Sequence, residues 1–114
     1  MAIQITEEQL LNKSALITLN GQLNAASAPE VKARLKRMVE SGVIQLVADL
    51  SGVSFIDSSG LAALVSGLKA VREKGGALKL AGLNQQALTV FKLTLLDRVF
   101  EFYPDAQAAR KALS

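Results

Sequence analysis

Cysteine and histidine are both absent from this 114-residue chain. Without cysteine no disulfide can form, which fits a reducing, cytoplasmic setting. Without histidine, imidazole general-base catalysis, the Ser-His-Asp triad and nearly every zinc or haem site are excluded. Aromatic residues make up only 4% of the chain, so a core must be built mainly from Leu, Val, Ile and Ala. No apolar run approaches the ~20 residues of a membrane-spanning helix. The opening "MAIQITEEQL" lacks the basic-then-apolar order of a secretory signal. The formal charge of +3 is small, and no basic stripe with interleaved aromatics marks a nucleic-acid binder.

What is present is the composition of one folded domain, half hydrophobic and 20% charged. "AIQITEEQLL" and "SALITLNGQL" read as two strands joined by the turn residues "NKS". The second alternates, with Ala15, Ile17 and Leu19 on one side, and Gly21 marks its exit. "SAPEVKARLKRMVESG" carries helix signals: a Ser27–Glu30 capping box, Pro29 in the first turn, apolar Val31, Leu35 and Met38, and Gly42 at the end. "VIQLVADL" is nearly all apolar, the mark of a parallel strand covered on both faces. "SSGLAALVSGLKAVREKGG" is a helix with Leu61, Leu64, Val65, Leu68 and Val71 on one stripe. "ALKLAG" follows as a strand. In "LNQQALTVFKL", Asn84 caps a helix and Leu83 pairs with Leu88 as a hydrophobic staple. "VFEFY" and "PDAQAARKAL" close the chain as strand and helix. The order β-β-α-β-α-β-α-β-α predicts an α/β fold: a small, mostly parallel sheet with one antiparallel strand, packed against about four helices.

In such sheets a site forms where loops leave the carboxyl ends of the strands. Two loops qualify, Asn20 to Ser27 and Ser51 to Ser59. If their strands are parallel neighbours, Gln22, Asn24, Asp57, Ser58 and Ser59 share one edge. Asp57-Ser58-Ser59-Gly60 has two readings. As a helix start it is ordinary, since Asp and Ser are good N-caps worth about 1 kcal/mol. Yet three cap-competent residues stand where one suffices, and Gly60 in the first turn costs up to about 1 kcal/mol against Ala. A small residue there would leave the hydroxyls open to a visiting active site. A serine nucleophile would need a base; a lysine is conceivable but unmarked, and the G-x-S-x-G elbow is absent. Neither G-x-x-x-x-G-K-[ST] nor G-x-G-x-x-G appears, so no phosphate-binding loop is indicated and no cofactor is expected. Carrying the helical rotation backwards puts Ser58 near the edge of the apolar face and Ser59 opposite it, which favours Ser59 as the more exposed.

With "LNGQLNAASAPEVKARL", "DLSGVSFIDSSGL" and "GGALKLAGL" in view, the chain resembles the STAS domain of bacterial anti-sigma factor antagonists. The match runs from about Ile3 to Leu113, and implies that residues 1–114 form a single STAS domain. The resemblance implies a non-enzymatic regulator that binds an anti-sigma factor, itself a serine kinase, and so releases a sigma factor for transcription. It implies that the kinase phosphorylates the serine after the motif's Asp, here Ser58. A metal-dependent serine phosphatase would then reset the switch. Gln22, Asn24, Asp57, Ser58, Ser59 and Gly60 are the expected partner-binding residues, and neither a metal site nor direct nucleic-acid binding is implied. An alternative keeps the fold without a kinase partner: a stand-alone STAS subunit of a lipid-transport or stress-sensing complex. One departure concerns Asn24, where these antagonists often carry Asp; Asn keeps the shape and gives up the charge. The other is the run Lys32, Arg34, Lys36 and Arg37, expected to be a solvated face with Glu30–Arg34 pairing.

Overall fold

The computed structural model describes residues 3–113. Strand β1 (Gln4–Gln9) pairs antiparallel with β2 (Ser14–Leu23). The turn between them passes through left-handed Asn12 and Lys13, and the Ser14 hydroxyl donates to the Leu11 carbonyl. Ala15, Ile17 and Leu19 are fully buried, as their alternation requires. Gly21 does not end β2. With a φ of 125° it lies between two register shifts, at each of which the neighbouring parallel strand holds the extra residue, and β2 runs on to Leu23.

Helix α1 (Ala28–Glu40) buries Val31, Leu35, Met38 and Val39. Its last turn closes as predicted at Gly42: Gly42 N–H donates to Val39 C=O and Val43 N–H to Met38 C=O, both at 3.0 Å. The Ser27–Glu30 capping box does not form. Ser27 already has helical backbone angles, and its hydroxyl donates to the Gln22 carbonyl at 2.7 Å while accepting from Asn24 N–H at 3.0 Å.

Strand β3 (Gln45–Ile56) is the longest, lying parallel between β2 and β4 (Ala77–Ala81). The segment from Ser51 to Ile56, expected as loop, is strand: β3 takes up an extra residue at each of two bulges and β2 keeps pairing with it to Leu23↔Ile56. Helix α2 (Ser58–Glu73) buries Leu61, Leu64, Leu68 and Val71; Val65 is half-buried. Helix α3 (Gln85–Leu93) is capped by Asn84, whose side chain accepts from Ala87 N–H at 2.8 Å, and Leu83 and Leu88 line one shallow cavity. A 3-10 turn over Leu96–Arg98, not foreseen, leads to β5 (Glu101–Tyr103), and α4 (Ala106–Lys111) completes the order.

The sheet order is β1-β2-β3-β4-β5. Alternation sends Ile17, Leu19, Leu46, Leu80 and Phe102 towards α1, α2 and α3, where Phe91 stacks edge-on against Phe100 and Phe102. Val47 and Ala81 point the other way and meet Ala109 of α4. On that face burial opposes the Lys79 charge, but the Glu101 carboxylate 2.5 Å away and Tyr103 together outweigh it and raise the lysine pKa. The stabilisation is therefore present at neutral pH and lost only in strong alkali. Among the described residues no helix is long and apolar enough to cross a membrane.

Leu95 is left-handed, with φ 62°, and its side chain is 58% exposed. That conformation costs a non-glycine residue about 1–2 kcal/mol, against about 0.5–1 kcal/mol for glycine's extra chain entropy. Leu95→Gly is accordingly expected to gain up to about 1 kcal/mol. Urea denaturation checks this, and a lowered midpoint would mean that the leucine side chain contributes packing.

Candidate functional site

The carboxyl ends of β2 and β3 lie side by side, with Gln22 in register with Phe55 and Leu23 with Ile56. Two turns leave this edge. In the first, Asn24 Oδ1 accepts from the N–H groups of Ala26 and Ser27, and Asn24 Nδ2 donates to Gln22 Oε1 at 3.2 Å. The asparagine thus builds the lead-in to α1 that the capping box was expected to supply.

In the second turn, Asp57 is extended, with φ −120° and ψ −172°. Its side chain accepts from Gly60 N–H at 3.0 Å, and its own N–H donates to the Leu23 carbonyl at 3.2 Å. Asp57 therefore caps α2 and ties that helix to the end of β2. Ser58 and Ser59 are the first two residues of α2, and among the described residues neither hydroxyl has a hydrogen-bond partner. Ser58 is exposed and Ser59 half-buried, the reverse of the helical extrapolation. The reason is tertiary: α1 lies beside α2, and Ser59 lines a shallow groove with Ala28, Pro29, Lys32 and Ala62.

Gly60 is small for a reason other than access to the hydroxyls. A Cβ there would stand 2.3 Å from the Leu23 carbonyl oxygen and 2.7 Å from Leu23 Cγ. The α2 backbone packs directly on the end of β2, and only glycine fits. Gln22, Asn24, Asp57, Ser58, Ser59 and Gly60 thus come to one edge. Of the cations on α1, Arg34 pairs with Glu7 on β1 at 2.6 Å, not with Glu30.

Sequence reasoning missed Gln86. Pairing of β4 with β3 stops at Asp49↔Ala81, leaving the end of β3 without a neighbour on that side. The Gln86 side chain fills the place: its Oε1 accepts from Ile56 N–H at 3.0 Å and its Nε2 donates to Ile56 C=O at 2.9 Å. Asn84 Nδ2 adds bonds to the carbonyls of Val53 and Ser54. A primary amide imitates a peptide, so the Asn84 cap and Gln86 in the first turn of α3 continue the ladder up to Ile56. No local pattern announces this, because it depends on where α3 begins relative to β3. Gln86→Leu is expected to cost about 1–3 kcal/mol by leaving both Ile56 groups unpaired, and to speed amide exchange at Ile56. Unchanged exchange and an unchanged denaturation midpoint would refute the clamp.

The sequence pattern of the STAS domain matches residues 3–109. The chain is 32% identical over 85 residues to the anti-sigma-B factor antagonist of Bacillus subtilis, covering 75% of this chain and 77% of that one. The crystal structure of an anti-sigma factor antagonist from Mycobacterium paratuberculosis superposes with a TM-score of 0.83 at 25% identity, over 97% of this chain and 93% of that one. The Bacillus cell fate determinant SpoIIAA, solved in its phosphorylated form, shares the fold with a TM-score of 0.75 at 17% identity, over 96% of this chain and 99% of that one. Element order, sheet topology and these similarities agree: the chain belongs to the STAS-domain family of anti-sigma factor antagonists.

Proposed function

We propose that the unphosphorylated chain binds an anti-sigma factor with serine kinase activity, freeing a sigma factor, and that phosphorylation of Ser58 switches this binding off. The observation that carries the proposal is the state of the Ser58 hydroxyl: exposed, unbonded, and at the start of a helix whose capping is already done by Asp57. A kinase can take such a hydroxyl without breaking anything in the fold. In support, a structure of SpoIIAA exists in a phosphorylated form. Gln22, Asn24 and Ser59 flank Ser58 on the surface that meets the partner, and a serine phosphatase resets the switch.

A phosphate at Ser58 adds roughly −1.5 to −2 charges. Its attraction to the α2 N-terminus is worth only about 0.3–1 kcal/mol, and the Asp57 carboxylate opposes it. The domain therefore keeps its structure, and the effect falls on the partner surface.

Capture from native cell extract by wild-type chain and by Ser58→Glu tests the proposal. A kinase-like anti-sigma factor retained by wild type and lost by the variant is the expected result. Equal capture of the same proteins by both overturns it and favours a scaffold or lipid-transport subunit.

A further inference from the structure

We infer that Phe55 is the apolar anchor of the partner-binding edge, its ring seating in an apolar recess of the anti-sigma factor; the inference rests on the partner-switching reading above. Phe55 is 41% exposed, whereas Phe91 and Phe100 are buried and Phe102 and Tyr103 half-buried. It belongs to neither apolar cluster of the fold, and two-fifths of its surface stays in solvent. The other large exposed apolar side chains lie elsewhere: Leu11 in the β1–β2 turn, and Leu93, Leu95 and Val99 in the segment before β5. Phe55 alone among them stands at the carboxyl ends of the parallel strands, in register with Gln22, which accepts from Asn24, and three residues before Ser58.

The ring is also presented on a fixed backbone. On one side β2 pairs with it; on the other, the Asn84 and Gln86 amides hold Val53, Ser54 and Ile56. A large aromatic side chain on a rigid strand loses little freedom on binding, the property of residues that dominate interfaces. The polar amides of Gln22 and Asn24 beside it fit a rim around such an anchor.

The test uses the anti-sigma factor captured by the wild-type chain, purified and titrated calorimetrically against wild type, Phe55→Ala and Ser58→Glu. Phe55→Ala is expected to weaken binding at least about thirtyfold, with a melting temperature within about 2 °C of wild type. If Phe55→Ala binds like wild type while Ser58→Glu does not, the anchor is refuted and the switch stands. If Ser58→Glu also binds like wild type, the switch reading fails and takes the anchor with it. A Phe55→Ala melting temperature lowered by more than about 5 °C makes the ring structural and likewise overturns the inference.

Discussion

Phosphorylated at Ser58, the chain is expected to bind its anti-sigma factor roughly 30-fold to several thousandfold more weakly, with no change in its far-UV circular dichroism. The estimate follows from where the group sits. An unpaired charge pressed into a partner surface costs about 2–5 kcal/mol, and each 1.4 kcal/mol is about tenfold in affinity. Within the domain the same phosphate meets solvent, the α2 N-terminus and the opposing Asp57 carboxylate, because Ser58 is exposed and among the described residues its hydroxyl holds no bond. Ser58→Ala should therefore bind as tightly as wild type. Calorimetric titration of the modified and unmodified chains checks the first point and their spectra the second. A large spectral change on phosphorylation would mean that the switch works by refolding, contrary to the local exclusion argued here.

Gly60→Ala should lower stability by about 1–3 kcal/mol, the usual range for forcing a methyl group into filled space. The added Cβ would meet the Leu23 carbonyl oxygen at 2.3 Å, and this oxygen already accepts from Asp57 N–H. Backbone, not a flexible side chain, would have to move. Relief requires α2 to pull away from β2, which on the proposal above loosens the edge that meets the partner. A melting temperature about 5–20 °C below wild type is expected, together with weaker binding. For stability, Ser59→Ala serves as the near-neutral neighbour, since among the described residues its hydroxyl has no hydrogen-bond partner. A Gly60→Ala chain as stable as wild type would show that β2 and α2 do not meet this closely.

Much of this edge was legible in the sequence because its chemistry is local. Asp57 and Asn84 announce helix starts by residue type, and each side chain accepts from the N–H three residues on. Ala15, Ile17 and Leu19 announce a covered strand face by alternation alone. The failures occur where a distant element decides. Ser51 to Ile56 reads as a loop in isolation, but pairing with β2 on one side, across bulges in β3 itself, and the Gln86 amide on the other make it strand. Ser27 has the residue type of a capping serine, yet Gln22 and Asn24 claim its hydroxyl. Ser59 reads as more exposed than Ser58 until α1 is laid beside α2. Arg34 has a helical neighbour of opposite charge in Glu30, but Glu7 on β1 takes it.

The central claim is that Ser58 is the switch residue, and one measurement addresses it directly. The chain is incubated with the captured anti-sigma factor and magnesium ATP, and the phosphate is located by fragmentation mass spectrometry in wild type and in Ser58→Ala. Phosphate on Ser58 in the wild type and none in the variant is the predicted result. Phosphate on Ser59, or undiminished phosphorylation of Ser58→Ala, would contradict the assignment.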